Sequence, residues 1–343
     1  MTDLFEQVID FENLYAAYRD ARASKRYRNS ILKFGYRLEE NLVVLRRDLA
    51  NKTYRHGGYR EFVINDSKKR LIKAAPFRDR VVHHAVCNII EPILERGFIY
   101  DSYACRNGKG THAAVLRLEH FVRSLSQAPA VEREHNAAKI YCLKCDISKF
   151  FNSIDGEVLF ELLQKKIKDE NILWLLREII TSNQRGIPIG NLTSQLFANV
   201  YLGELDNFVK RELHEQYYLR YMDDFLILST DKKHLRKIKE LITMFLRDRP
   251  KLTMHPKKAE IFPIDRGIDF LGYVLRDGKR FLRKSTVKRF IKKRRRYTTL
   301  AKSGKITQEF FESAVDSWRG YAAFARSYKL MEKLAWPIND RRI

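Results

Sequence analysis

The sequence lacks a long apolar run. No stretch of its 343 residues approaches the ~20 consecutive apolar residues that a membrane-spanning helix requires. The N-terminal residues MTDLFEQVIDF include acidic side chains and no apolar core, which is unlike a secretory signal peptide. We therefore expect a cytoplasmic protein that has no membrane partner.

Cysteine is also scarce, with four residues: Cys87, Cys105, Cys142 and Cys145. Cys142 and Cys145 form a CxxC motif, but no second Cys or His pair lies at the spacing of zinc ligands. Strand-forming residues surround the motif. We therefore expect no zinc site and interpret the cysteines as buried free thiols of a reducing compartment.

Acidic residues are outnumbered by basic ones. The chain has 66 Lys and Arg against 42 Asp and Glu, a formal net charge of +24. Residues 276–343 alone contain 20 basic and 6 acidic residues, so they contribute +14 of this charge. A field of this sign attracts polyanions and speeds their encounter. The basic C-terminal part therefore predicts a nucleic-acid clamp, while the alternative of membrane-surface binding lacks an amphipathic anchor.

Residues 219–230, LRYMDDFLILST, place two adjacent aspartates between apolar runs. These runs predict β-strands, and Asp223 and Asp224 fall where a tight hairpin turn is expected. Two neighbouring carboxylates raise each other's pKa, so the pair needs a positive partner. A solvent-facing acidic turn is one explanation. The apolar residues on both sides favour a buried turn that holds Mg²⁺, an ion bound by carboxylates together with substrate phosphates.

The other patterns alternate between helices and strands. Residues 1–56 predict helices, residues 59–64 and 71–75 a basic hairpin, and residues 268–275 a strand. The hairpin cations suit either a solvated strand edge or a triphosphate site. A further strand, 140–147, carries Asp146 near its end. Three carboxylates that hold two divalent ions catalyse in-line displacement at phosphorus, so the pattern predicts an α+β nucleotidyl transferase.

Taken in order, these motifs resemble those of reverse transcriptases over nearly the whole chain. RLIKAAPFRDRVVHHAVCNIIEPILERGF and YACRNGKGTHAA resemble the fingers blocks shared with bacterial group II intron enzymes. DISKFFNSI resembles the first palm motif, RYMDDF the catalytic palm motif, LTMHPKKAEIF the following motif, and FLGY the primer grip. The resemblance implies a right-hand polymerase with fingers, a palm that contains an antiparallel sheet, and a helical thumb.

The resemblance also implies three domains. Residues 1–138 would form N-terminal helices and fingers. Residues 139–275 would form the palm, with part of the fingers (156–188) interleaved. Residues 276–343 would form a helical basic thumb.

One motif resembles a particular subtype. Most reverse transcriptases carry Gln-Gly before Ser-Pro in the second palm motif, whereas this chain reads IGNLTSQ from Ile189 to Gln195. This spelling resembles reverse transcriptases of diversity-generating retroelements, within the group II intron-like bacterial superfamily. The subtype copies a template-repeat RNA into cDNA with frequent errors opposite adenine. Because an aliphatic side chain cannot make the hydrogen bonds of Gln, we expect Ile189 to contribute to these errors.

The resemblance assigns roles to individual positions. The catalytic role falls on Asp146, Asp223 and Asp224. Together with the carbonyl of Ile147, these residues would hold two Mg²⁺ ions, with Mn²⁺ as an alternative. Nucleotide-binding roles fall on Lys69, Arg70, Phe151, Ile189, Gly190, Gln195 and Lys258. Contacts to primer and template fall on Tyr221, Met222, Gly272, Tyr273, Lys288 and Lys292. Among these, Phe151 would be the steric gate that excludes a ribose 2′-hydroxyl, and Lys258 would protonate pyrophosphate.

The implied partners are dNTPs, template RNA, the cDNA/RNA duplex and a basic, oligomeric accessory variability protein. The subtype implies a protein encoded by a bacterium, an archaeon or a phage. Two alternatives stay open at this point. One is a related reverse transcriptase of phage defence or of group II introns, and the other is a catalytically silent RNA-binding scaffold. The presence of all three acids argues against the scaffold.

Overall fold

The computed structural model of the protein describes residues 3–65, 69–127 and 139–334. The polar stretch 126–138, whose composition predicts a loop, lies mostly outside these ranges, as do Lys68 and Trp336. The chain divides into two compact units, each made of several segments. The first unit contains Met1–Cys105, Cys145–Phe225 and Ile238–Ala259. The second contains Arg106–Lys144, Leu226–Lys237 and Glu260–Ile343.

The N-terminal segment is helical, as predicted. Its helices are α1 (Leu4–Ile9), α2 (Phe11–Ala21), α3 (Asn29–Tyr36) and α4 (Leu38–Ala50). α2 begins where the side chain of Asp10 accepts a hydrogen bond from the N–H of Glu12. It buries Leu14, Tyr18 and Ala21, which share one face at helical spacing. This face packs on the next long helix, α5 (Phe77–Glu95).

The predicted basic hairpin is confirmed. Strands β1 (Arg60–Asn65) and β2 (Lys69–Ala74) form a two-stranded antiparallel sheet in which Glu61 faces Lys73. Pro76 then takes the N-cap position of α5, where its carbonyl accepts a hydrogen bond from the N–H of Arg80 at 3.0 Å.

Further helices connect the strands. They are α6 (Thr111–Gln127), α7 (Phe150–Ser153), α8 (Gly156–Lys166), α9 (Glu170–Thr181), α10 (Leu192–Asn207) and α11 (Lys232–Asp248). α10 has no single apolar face and is buried along most of its length, polar side chains such as Asn199 and Asp206 included, as expected for a central helix. A π-helical turn, Phe208–Glu212, extends it.

A four-stranded sheet carries the acidic residues. Its strands are β3 (Tyr141–Asp146), β4 (Tyr218–Tyr221), β5 (Asp224–Ser229) and β6 (Glu260–Pro263), in the order β4-β5-β3-β6. β3 and β6 are antiparallel, with Tyr141 facing Pro263. The middle of β5, from Phe225 to Leu228, is buried residue after residue, which explains its continuous apolar sequence.

The single strand predicted at 268–275 is wrong. The structure has a tight turn there, between β7 (Ile268–Phe270) and β8 (Tyr273–Arg276), and β9 (Lys279–Leu282) completes a three-stranded antiparallel sheet. Leu271 and Gly272 take φ values of +50° and +92°. A side chain at Gly272 would lie 2.2 Å from the Tyr321 hydroxyl. The apolar residues on both sides of this turn read as one run, which hid it in the sequence.

Helices form the last part of the second unit: α12 (Lys284–Lys302), α13 (Gln308–Ala323) and α14 (Tyr328–Lys333). In α12 the ring of Phe290 is buried and stacks on Trp318 of α13, with centroids 3.8 Å apart. Within the described ranges, no helix is both long enough and apolar enough to cross a bilayer. The expectation of buried thiols is wrong for Cys105, which is exposed because it lies in a loop, whereas Cys87, Cys142 and Cys145 are buried.

Candidate active site

The paired aspartates lie at a turn with an unusual backbone. β4 ends at Tyr221 and β5 begins at Asp224, so Met222 and Asp223 form the turn. Met222 has a φ of +55°, in the left-handed region that side chains other than those of Asn and Asp rarely adopt. Tight hairpin turns require this conformation. Its strain must be compensated by the surrounding contacts.

Arg220, just before the turn, makes those contacts. It is 0% exposed. Its guanidinium donates to the Met222 carbonyl at 3.1 Å and to both carboxylate oxygens of Asp206 on α10 at 2.7 and 2.6 Å. Burial is the largest single effect and by itself would lower the pKa of Arg220. The charge and hydrogen bonding of Asp206, together with Tyr218, outweigh it and raise that pKa. A charged, doubly hydrogen-bonded pair therefore fixes the turn from inside the fold.

The end of β3 lies beside the same turn. The N–H of Ile147, directly after Asp146, donates to the carbonyl of Asp223 at 3.2 Å. Burial, and then the charge of Asp146, raise the pKa of Asp223 above its usual value. The cations of Lys258 and Arg70 act on it in the opposite direction. The structure thus brings two of the predicted acids and two of the predicted cations together.

Lys258, and not its neighbour Lys257, contacts the acidic cluster. Its Nζ lies 2.5 Å from Oδ2 of Asp146. The backbone holds this arrangement, because the N–H of His255 donates to the Asp146 carbonyl at 2.8 Å and the N–H of Lys258 donates to the His255 carbonyl at 3.1 Å. Lys257 is exposed. Of the two neighbouring lysines, the structure therefore gives this contact to Lys258.

Three carboxylates, those of Asp146, Asp223 and Asp224, offer the hard oxygen ligands that divalent ions such as Mg²⁺ prefer. In the part of the chain that the structure describes, no three His, Cys, Asp or Glu side chains form a ready-made metal site. Asp146 is instead paired with Lys258. The donor chemistry and the accumulated negative charge fit a divalent ion, and the contact with Lys258 engages only Oδ2 of Asp146.

Phe151 begins the second half of the site. It lies in the short helix α7, with its ring T-shaped against Phe150 at 5.5 Å. The Phe151 carbonyl accepts a hydrogen bond from the N–H of Ile187 at 2.9 Å. Gly186 makes this approach achievable: its φ is +64°, and a Cβ there would lie 2.2 Å from the Phe151 oxygen.

The same loop reaches β2 at its other end. The Ile189 carbonyl accepts from the N–H of Lys73 at 3.1 Å. Gly190 has a φ of +124°, and a Cβ there would lie 3.0 Å from Cγ2 of Ile72. Gln195 is half-buried in the first turns of α10. Ile189 and Gly190 therefore lie against β2, in the same loop whose earlier part contacts Phe151.

The remaining predicted residues fall in two places. Lys69 and Arg70 are exposed on β2 of the first unit. Within the second unit, Tyr273 is 1% exposed and its hydroxyl lies 3.0 Å from Nε2 of His112 and 2.9 Å from the Tyr321 carbonyl. Lys288 and Lys292 are exposed one helical turn apart on α12. Contacts of these residues, and of Tyr221, Met222 and Gly272, with a primer or duplex stay predictions.

Sequence reasoning missed two groups of residues around this site. One is the buried pair of Arg220 and Asp206. A signal existed for it, since an arginine inside the apolar strand YLRY requires a buried acidic partner. The other is the contact of Lys73 Nζ with Asn183 Oδ1 at 2.9 Å. No local pattern links these two residues, which lie far apart in the sequence.

Comparison with known proteins identifies the family. The sequence profile of "Reverse transcriptase (RNA-dependent DNA polymerase)" matches residues 63–275. Protein YkfC of Escherichia coli K12 is 24% identical over 321 residues, which cover 80% of this chain and 77% of YkfC. The group II intron-encoded protein LtrA of Lactococcus lactis is 25% identical over 353 residues, 81% of this chain and 54% of LtrA. The chain thus spans about half the length of LtrA.

Solved structures show the same fold. Telomerase from Candida albicans in complex with a fragment of telomeric RNA matches with a TM-score of 0.51 at 11% identity, over 71% of this chain and 50% of that one. Apo telomerase from Candida tropicalis matches with a TM-score of 0.50 at 11% identity, over 65% and 47%. The architecture is that of a right-hand polymerase. The chain belongs to the reverse transcriptase family of RNA-directed DNA polymerases, with group II intron-encoded homologues.

Proposed function

We propose that this RNA-directed DNA polymerase is the diversity-generating type, which copies a template-repeat RNA into cDNA with errors opposite adenine. The observation that supports the proposal is the position of Ile189. This aliphatic residue, where most of the family has Gln, lies in a loop that contacts both β2, through Lys73, and the backbone of Phe151. A different side chain at position 189 would therefore lie close to β2 and Phe151, the elements that we assign to nucleotide selection.

The proposed chemistry uses the acids at the β4–β5 turn. Asp146, Asp223 and Asp224, with the carbonyl of Ile147, would hold two Mg²⁺ ions. When bound, such ions favour attack by the primer hydroxyl and stabilise the leaving oxygen at the nucleotide's phosphorus. The chain's own residues position these acids, since Arg220 fixes the turn through the Met222 carbonyl.

Cations of the first unit would bind the triphosphate and protonate the leaving pyrophosphate. Arg70 and Lys69, exposed on β2, would bind its oxygens by charge-assisted hydrogen bonds. Lys258 would give its proton to the departing pyrophosphate once its pairing with Asp146 opens. The Phe151 ring would lie under the sugar, where it excludes a 2′-hydroxyl and so selects dNTPs.

The three-domain reading is part of the proposal. Residues 1–138 and 156–188 would act as fingers, the rest of 139–275 as palm, and 276–343 as thumb. On α12 the exposed cations, including Lys288 and Lys292, would bind duplex phosphates. This binding would weaken as salt rises, because each phosphate contact releases counterions. The subtype further implies an accessory variability protein as partner.

The experiment compares cDNA made by the wild type and by Ile189→Gln on the protein's own repeat RNA, read by sequencing. Gln restores hydrogen-bonding groups, so we expect errors opposite adenine to fall by about tenfold, a change of ~1.4 kcal/mol in discrimination. Errors opposite the other bases should change less.

Ile189→Leu is the matched control, since it keeps an aliphatic side chain of the same size. We expect it to retain the adenine errors. The proposed role of Ile189 fails if Ile189→Gln and the wild type make the same errors.

A group II intron-type enzyme is the second candidate, favoured by the similarity to LtrA over 81% of the chain. An enzyme of this type should copy adenine accurately in the wild type. The same sequencing run therefore separates the two functions.

A further inference from the structure

The loop of residues 183–191 contacts two parts of the site, Phe151 and strand β2. The N–H of Ile187 donates to the Phe151 carbonyl at 2.9 Å, and the carbonyl of Ile189 accepts from the N–H of Lys73 at 3.1 Å. Both contacts are backbone hydrogen bonds. A displacement of this loop therefore changes its distance from β2 and from Phe151 together.

The side chain of Lys73 makes a third contact, at the beginning of the loop. Its Nζ lies 2.9 Å from Oδ1 of Asn183 and 3.1 Å from Oε1 of Glu61. The amide nitrogen of Asn183 in turn donates to the carbonyls of Arg185 at 2.6 Å and Gly186 at 3.1 Å. Lys73 thus contacts the loop at its beginning through the side chain and near its end through the backbone.

Lys73 differs in this respect from the other cations of β2. Lys69 and Arg70 are exposed, whereas the side chain of Lys73 is 30% exposed and its ammonium is occupied by Asn183 and Glu61. Hydrogen bonds from a charged donor are shorter and stronger than neutral ones, so this contact holds the loop better than an amide pair would. The partners of the Lys73 ammonium are therefore protein side chains, whereas we assign Lys69 and Arg70 to the phosphates of the nucleotide.

We propose that Lys73 is a positioning residue that couples selection of the base to selection of the sugar. It does so by holding the 183–191 loop between β2 and Phe151. The inference rests on the proposed roles of Phe151 and Ile189 in nucleotide selection. It does not depend on the diversity-generating subtype, because it applies to every nucleotide that the site accepts.

The test uses Lys73→Met, which removes the ammonium and keeps the backbone N–H. Single-nucleotide incorporation is measured on a defined RNA template with correct dNTPs, incorrect dNTPs and rNTPs. We expect misincorporation and rNTP use to change together, each by about threefold or more, while KM for the correct dNTP changes by less than about twofold. Lys73→Arg keeps a charged donor and should lie close to the wild type.

Two further variants serve as controls. Arg60→Met removes the same charge from an exposed position on the same hairpin, so both selectivities should stay at the wild-type value. Asn183→Ala removes the partner of the ammonium. Because the two side chains act through one contact, Lys73→Met with Asn183→Ala should be no worse than the poorer single variant. Melting temperatures confirm that each variant is folded.

Several outcomes would overturn the inference. An equal rise in KM for all nucleotides, with unchanged selectivity, would assign Lys73 to the triphosphate. A change in base selection alone, or no change beyond that of Arg60→Met, would also contradict it. Phe151→Ala, measured in parallel, tests the proposed steric gate separately. If that variant does not gain rNTP use, the gate assignment fails, whereas a joint change of misincorporation and rNTP use in Lys73→Met still supports the coupling.

Discussion

The β1–β2 hairpin and the β4–β5 turn carry opposite charges at the site, and different contacts hold them. Around the β4–β5 turn, Leu219, Arg220 and Phe225 are 0% exposed. In the β1–β2 hairpin, apolar side chains such as Val63 and Leu71 are each 47% exposed. The acids are thus anchored in the core, while the cations lie on a strand pair with little burial. Segments of low local stability are those that can adjust to a ligand.

The largest expected effect comes from Asp223→Ala at the anchored turn. Loss of this proposed metal ligand should reduce primer extension on an RNA template by about 10³-fold or more, roughly 4 kcal/mol. The melting temperature should stay equal or rise, because burial and the charge of Asp146 raise the pKa of Asp223, so its ionised form is unfavourable in the fold.

The control for that variant is Asp265→Ala, which removes the same charge from an exposed position. It should retain full activity. An active Asp223→Ala enzyme would remove this aspartate from the proposed chemistry.

The next largest effect is the loss of stability when a buried arginine is replaced, compared with an exposed one. Arg220→Met leaves Asp206 buried without its cation, so we expect a loss of about 3–5 kcal/mol in the free energy of unfolding, measured with urea. Arg60→Met on the exposed hairpin should change it by less than about 0.5 kcal/mol.

The double variant Arg220→Met with Asp206→Leu sharpens the result. It should recover most of the stability, because no unpaired charge stays buried. Activity should stay low, because the Met222 carbonyl still lacks its donor. Equal losses of unfolding free energy in Arg220→Met and Arg60→Met would contradict the difference between the buried turn and the exposed hairpin.

The smallest of the three effects concerns the base of the exposed hairpin. The ring of His56, just before β1, stacks on the fully buried His83 at 5.3 Å. Burial, and then His56, lower the pKa of His83 to about 3. The folded protein therefore keeps His83 neutral, whereas the unfolded chain takes up a proton below about pH 6.5. Stability should be full above that pH and should fall by about 2 kcal/mol by pH 5.

Unfolding free energies at pH 7 and pH 5 measure this loss. His83→Phe keeps a ring in place and should remove the contribution, whereas replacing the exposed His120 by Gln should not. Hydrogen exchange at pH 5 should show β1–β2 opening before β4–β5. Equal pH dependence of wild type and His83→Phe would contradict the assignment.

Local patterns were sufficient for much of this fold. The apolar runs around Asp223 predicted the hairpin turn, and the end of the strand at Asp146 followed from the same periodicity. Those signals span only a few residues, so they can be read without knowing what packs against them. The motif order then predicted the family, and the polymerase fold and the family are confirmed.

Contacts between distant residues could not be predicted in this way. Asn183 is the partner of Lys73, and no spacing rule relates the two positions. The turn at Gly272 was hidden because the apolar residues on each side continue the same run. The exposure of Cys105 likewise depends on what packs around its loop.

The distribution of cysteines has a practical consequence. Of the four thiols, only that of Cys105 is exposed. It lies two residues beyond Tyr103, whose N–H donates to the Arg220 carbonyl at 2.9 Å. Burial raises the pKa of the Cys105 thiol, so maleimide coupling will be slower than at a fully exposed cysteine and will benefit from mildly alkaline buffer. The unmodified chain can therefore carry one fluorophore near the β4–β5 turn, ready for single-molecule recordings of cDNA synthesis.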